Sequence, residues 1–130
     1  MEMGRPNLNH PKVLITDDLQ FMRQILKDIL ERNGFSVAAE AVDGQDAVQQ
    51  YIRFRPDLVL MDITMPRMDG IQALQRIMET DPRARVVMCS ALGQEKYIIR
   101  SIQLGARDFV VKPFSEERIV SALTKAFQRG

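Results

Sequence analysis

Four short apolar runs in the sequence break off at residues that can do chemistry. Val13-Leu14-Ile15 leads through Thr16 into Asp17-Asp18, Leu58 to Met61 into Asp62, Val86 to Cys89 into Ser90, and Phe109-Val110-Val111 into Lys112. Taken singly, each has an ordinary reading: an acid after a strand can cap the next helix, a serine can serve a turn and a lysine can be solvated. Their joint occurrence asks for more. An ionised carboxylate at the end of a buried run such as Leu58-Val59-Leu60-Met61-Asp62 is costly unless it is paired or bound to a metal. Carboxylates held about 4 Å apart repel by about 4 kcal/mol per pair at an effective dielectric of about 20, so a cluster of Asp17, Asp18 and Asp62 requires a cation. All the candidate donors are oxygens, and the only histidine, His10, lies in the N-terminal stretch, which favours a hard ion and points to Mg²⁺. Three negative charges against Lys112 and one Mg²⁺ sum to zero, leaving a carboxylate oxygen able to accept an incoming phosphoryl group. The chemistry this implies is phosphoryl transfer to an aspartate.

The elements that must hold these residues follow from the spacing of apolar positions. Apolar runs at Val13 to Ile15, Phe35 to Ala41, Leu58 to Met61, Val86 to Cys89 and Phe109 to Val111 alternate with segments of helical period, among them Phe21, Met22, Ile25, Leu26, Ile29 and Leu30, and Ala47, Val48, Tyr51 and Ile52. Gly34 ends the first helix, Gly105 the fourth, and Ser115 caps the last. Strand then helix, five times over, predicts an α/β fold with a parallel sheet covered by helices on both faces. Ligands of such sheets collect beyond the carboxyl ends of the strands, which is where all the reactive residues fall. Residues 1 to 11, with Pro6 and Pro11, read as a flexible N-terminal tail, and residues 12 to 130 as one domain without repeat or linker.

Composition narrows the partners. A chain of 130 residues has room for one domain with a sizeable core. Eighteen basic and seventeen acidic side chains leave a net charge of +1, so no overall field points to nucleic acid or to an acidic membrane. The single cysteine, Cys89, excludes a disulfide framework and reads as a buried core thiol. No apolar stretch approaches the roughly 20 residues of a membrane span, and the first residues lack the apolar middle of a signal peptide, so a cytoplasmic location is expected.

Asp17-Asp18, the stretch Met61-Asp62-Ile63-Thr64-Met65-Pro66-Arg67-Met68-Asp69-Gly70, Ser90-Ala91 and Lys112-Pro113-Phe114 occur in this order at four strand ends. In this the sequence resembles the receiver domains of two-component response regulators, from about residue 12 to residue 128. Phe21-Met22-Arg23 and Cys89-Ser90-Ala91-Leu92-Gly93-Gln94 are most similar to the single-domain regulators of chemotaxis. The resemblance implies a doubly wound, five-stranded parallel sheet of order 2-1-3-4-5. It implies that Asp62 accepts the phosphoryl group from a histidine kinase. Asp18, Asp62 and the Thr64 carbonyl would bind Mg²⁺ directly, with Asp17 acting largely through water. Lys112 would pair with the phosphoryl oxygens and Ser90 would donate its hydroxyl to them. Phe109 stands where the family has an aromatic switch residue, and it reads equally as a core aromatic; lacking a phenolic oxygen, it would switch by burial of the ring alone. Lys112-Pro113 matches the family's cis peptide, and Pro66 and Gly70 are assigned to turn chemistry. The protein is then a monomeric signalling protein that assists its own phosphorylation and dephosphorylation. It would act on a downstream protein such as a flagellar motor component or a phosphatase, without nucleic acid or membrane. Ile98, Ile99 and Ile102 give the fourth helix more apolar breadth than one core stripe needs, so it serves either as a contact face or as ordinary packing.

Other readings fit less well. A phosphatase of the haloacid dehalogenase type also forms an aspartyl phosphate, but its motif wants a second aspartate where Thr64 stands, and the chain has no room for a cap domain. Neither G-x-x-x-x-G-K-[ST] nor G-x-G-x-x-G occurs, which disfavours a nucleotide site. A receiver belonging to a longer transcriptional regulator would share the same chemistry, although nothing after Phe127 has the length of a helix-turn-helix.

Overall fold

The computed structural model of the chain describes residues 10 to 128. Five strands, β1 (Lys12–Thr16), β2 (Ser36–Ala41), β3 (Leu58–Asp62), β4 (Val86–Ser90) and β5 (Asp108–Val111), alternate with five helices. These are α1 (Gln20–Arg32), α2 (Gly44–Phe54), α3 (Gly70–Thr80), α4 (Glu95–Gln103) and α5 (Glu116–Gln128). The strands form one parallel sheet in the order β2-β1-β3-β4-β5, as the resemblance implies.

Successive side chains of a strand point to opposite faces, so a strand covered on both sides is apolar throughout. Leu14, Val59, Met61, Val86 and Met88 pack on one face with Ala47, Val48 and Tyr51 of α2 and Ala73, Leu74 and Ile77 of α3. Their alternates Val13, Ile15, Leu58, Leu60, Val87 and Cys89 pack on the other with Leu26, Ile29 and Leu30 of α1 and Ile119, Ala122, Leu123 and Ala126 of α5. Helix α4 is different. Only Ser101 of it is buried, while Ile99 and Ile102 lie exposed and Ile98 is half-buried. The apolar breadth of this helix therefore faces solvent more than core.

Helix ends follow the local chemistry. Asp43 caps α2 through the Asp46 N–H, Asp69 and Gln72 form a capping box at α3, and the Ser115 hydroxyl accepts the Arg118 N–H at the start of α5. Gly34 and Gly105, after α1 and α4, take positive φ as their assignment as helix stops requires. The tail expected for residues 1 to 11 lies outside the described residues except for His10, which is exposed, and Pro11, which is buried and accepts the Ser36 N–H. No helix among the described residues is long and apolar enough to cross a membrane.

Candidate functional site

Backbone hydrogen bonds hold the strand ends that carry the chemistry. The Asp17 N–H reaches the Ala41 carbonyl at 3.1 Å, the Ile63 N–H reaches Cys89 at 3.0 Å, and the Lys112 N–H reaches Ser90 at 2.8 Å. The loops after β1, β3 and β5 thus leave the sheet from fixed points. Asp17, Asp18 and Asp62 converge there, each offering a carboxylate oxygen within 4.8 Å of the others. The Lys112 Nζ lies 3.3 Å from Asp62 Oδ1 and 3.4 Å from Asp17 Oδ2. The peptide bond between Lys112 and Pro113 is cis.

The three acids differ in circumstance. Asp17 is buried and already engaged, since its Oδ1 accepts the Leu19 N–H at 2.9 Å while Oδ2 faces Lys112. Asp18 is exposed. Asp62 is buried, and burial pushes its carboxyl up to about 6; Lys112 opposes the shift, while the charges of Asp17 and Asp18 add to it. Burial also works against the Lys112 charge, but Asp62 and Asp17 outweigh it and leave the ammonium above its ordinary value. One lysine does not neutralise three carboxylates. Oxygen-only donors, this spacing and the residual negative charge fit a hard divalent cation.

Ser90 ends β4 and is fully buried, and its Oγ has no hydrogen-bond partner among the described residues. A buried hydroxyl left without an acceptor is uncommon, because it forfeits a hydrogen bond that water would supply. It is suited to donate to an oxygen that arrives later. Phe109 stands apart from the carboxylates, registered with Met88 and half-buried against the core cluster that holds α2 and α3. Cys89 is a buried thiol, as expected, and burial raises its pKa beyond use as a nucleophile at neutral pH.

Several residues around the site carry roles that the sequence reading did not assign. Gly70 is no turn glycine: it opens α3, donates to the Ile63 carbonyl at 2.8 Å, and a Cβ there would stand 2.1 Å from the Asp62 carbonyl oxygen. Arg67, at φ 66°, pairs with Asp43, and the Gly44 N–H donates to the Met68 carbonyl at 2.8 Å, which fastens the loop after β3 to the start of α2. Gln94 bridges two loops, accepting the Ala91 N–H at 2.6 Å through Oε1 and donating to the Thr64 hydroxyl at 2.8 Å through Nε2. The Arg67–Asp43 and Gln94–Thr64 bonds join positions 24 and 30 residues apart, so no local pattern signals them.

Residues 13 to 124 match the family described as response regulator receiver domain. The chain is 54% identical over 114 residues to the chemotaxis protein CheY of Bacillus subtilis, covering 88% of this chain and 95% of that one. It is 52% identical to the chemotaxis protein CheY of Thermotoga maritima at the same coverage. Among solved structures, the CheX-CheY-BeF3-Mg²⁺ complex from Borrelia burgdorferi is similar with a TM-score of 0.85 and 41% identity, over 89% of this chain and 88% of that one.

Proposed function

The chain belongs to the response regulator receiver domain family, most like the CheY chemotaxis proteins, and from that premise we propose that it is a cytoplasmic, monomeric chemotaxis regulator phosphorylated on Asp62. The observation that carries this reading is the meeting of Asp17, Asp18 and Asp62 beside Lys112 at the end of a buried strand. Its phosphodonor is a histidine kinase, and its output is a changed affinity for a downstream protein. The CheX bound to a relative in a beryllofluoride complex supports a partner of that kind, as does the chemotaxis role of the relatives for a motor component.

An Asp62 carboxylate oxygen attacks the donor phosphorus in line. The P–N bond breaks, and its electron pair returns to the kinase imidazole, which takes up a proton. Asp18, Asp62 and the Thr64 carbonyl would hold Mg²⁺, with Asp17 acting mainly through water. Bound there, the ion supplies electrostatic stabilisation of the charge on the transferring phosphoryl oxygens. Lys112 sits 3.3 Å from Asp62 and neutralises the acceptor, then pairs with a phosphoryl oxygen. Ser90 brings its unengaged hydroxyl to another oxygen. In moving toward the phosphoryl group it opens space beside β4 into which the Phe109 ring turns, and the surface around α4 changes shape.

Labelling with a small acyl phosphate in Mg²⁺ tests the reading. Label is expected on Asp62 alone, and none in Asp62→Asn or in excess chelator. Full labelling under either condition refutes the assignment.

A further inference from the structure

Two loops border Asp62: the one after β3, which begins with Ile63 and Thr64, and the one after β4, which begins with Ala91. One side chain ties them together. The Gln94 amide receives the Ala91 N–H at 2.6 Å and gives its own N–H to the Thr64 hydroxyl at 2.8 Å, so both polar ends of the amide are engaged across the mouth between the loops. Ile63, Thr64, Met65, Asp69 and Tyr97 line a cavity of about 220 Å³ with Gln94 at this junction. Gln94 is half-buried, and it lies just outside α4, whose body contributes only Ser101 to the buried interior. A helix that buries only Ser101 thus begins next to a side chain bonded to the loop after the acid-bearing strand. Ala91 directly follows Ser90, whose hydroxyl is buried and without a partner among the described residues. Because Gln94 is bonded both to Ala91 and, across the mouth, to Thr64, an advance of Ser90 that carries Ala91 toward Asp62 works against this pair of bonds.

We infer that Gln94 is a positioning residue that holds the loop after β4 in its unphosphorylated place by bonding Ala91 and Thr64 at once. The inference rests on the proposed role of Asp62 as phosphoacceptor and adds a restraint that opposes it. A state that must give up these bonds before it can close is populated less by the factor they contribute, and the apparent affinity for anything that needs the closed loop falls by the same factor.

The probe is beryllofluoride with Mg²⁺, bound to the full chain and measured at equilibrium. Gln94→Ala is expected to bind it about threefold to tenfold tighter than the unsubstituted protein, the range that one neutral hydrogen bond contributes. Thr64→Val keeps Gln94 but removes its acceptor and is expected to gain affinity as well. The double variant should gain less than the product of the two single gains, since both remove the same tie. In the unphosphorylated protein, the Ala91 amide proton is expected to move upfield in NMR spectra of Gln94→Ala, reporting the lost acceptor. A residue that only supported the fold would lower the affinity or leave it unmoved. Unchanged or weaker binding in Gln94→Ala, with the unsubstituted protein binding normally, overturns the inference and leaves the role of Asp62 standing. Multiplicative gains in the double variant, or an unmoved Ala91 amide, overturn it too. Failure of every protein to bind beryllofluoride refutes the phosphoacceptor reading itself, and the inference with it.

Discussion

Asp17 and Asp18 are neighbours in sequence and are used differently. Both oxygens of Asp17 are committed, one to the Leu19 N–H and one facing Lys112, and the side chain is buried. The Asp18 carboxylate is exposed and enters no hydrogen bond or ion pair among the described residues. A direct metal ligand is therefore best sought in Asp18, and a structural and electrostatic support in Asp17. Asp18→Ala is expected to lower Mg²⁺ affinity by about tenfold or more. Asp17→Ala is expected to weaken it less but to lower the unfolding temperature, because a backbone N–H and part of the Lys112 pairing lose their partner. Titration calorimetry together with thermal unfolding separates the two effects. Equal Mg²⁺ affinities in the two variants would contradict the assignment.

The loop after β3 and the helix it feeds hold Asp62 in place. Gly70 lets α3 begin against the backbone of Asp62, where a methyl group would stand 2.1 Å from the carbonyl oxygen and 2.9 Å from the Ile63 Cα. Neither neighbour is a flexible side chain that can yield. Gly70→Ala is expected to cost about 2 kcal/mol, and so to lower the unfolding temperature by roughly 5 to 10 °C, while weakening Mg²⁺ binding. An unchanged melting temperature would show that α3 shifts freely. On the other side of the same loop, Asp43 caps α2 and pairs with Arg67. The Asp46 N–H and then the Arg67 guanidinium hold its carboxyl below the usual carboxylate range. A group whose folded pKa is depressed adds stability above its unfolded value, and that stability is lost as pH falls through the folded one. Asn still caps a helix but carries no charge. Asp43→Asn is therefore expected to be less stable than the unsubstituted protein by about 1 kcal/mol at pH 7, with the gap closing below about pH 4 in denaturant titrations.

At the scale of the whole molecule, the acids and the exposed side of α4 lie on different elements, and the proposed function needs a signal to cross from one to the other. Ser90 is placed to link them in that proposal: it ends the strand next to β3, its hydroxyl has no partner among the described residues, and the strand beyond it carries Phe109. A covalent modification shifts an equilibrium only as far as it interacts differently with the two conformers. Ser90→Ala removes one such differential contact, and Lys112→Ala removes a charge-assisted one. Ser90→Ala is expected to leave Asp62 able to take the phosphoryl group while reducing the chemical-shift changes around Phe109 and across residues 94 to 104. Lys112→Ala is expected to reduce them further. Changes of full size in both variants, followed by NMR on phosphorylation, would exclude both residues from the transmission.

Much of this was legible in the chain because it rests on local rules. Apolar runs and helical spacing set strand against helix, and the burial of both sheet faces explains why Leu58 to Met61 needs no polar alternation. The candidate residues Asp17, Asp18, Asp62, Ser90 and Lys112 stood out by ending those runs, and the fold brings Asp17, Asp18, Asp62 and Lys112 together. The strand order came from resemblance, since periodicity alone does not say which strands are neighbours. What only the tertiary structure decided is how the loops meet. Gly70 is required by a close approach to Asp62, Asp43 reaches Arg67, and Gln94 joins Ala91 to Thr64. Exposure also divided the two adjacent aspartates, burying Asp17 and leaving Asp18 exposed. Periodicity records which side of an element faces the core, whereas contacts between loops depend on where the packed sheet brings their ends, and no spacing along the chain encodes that distance.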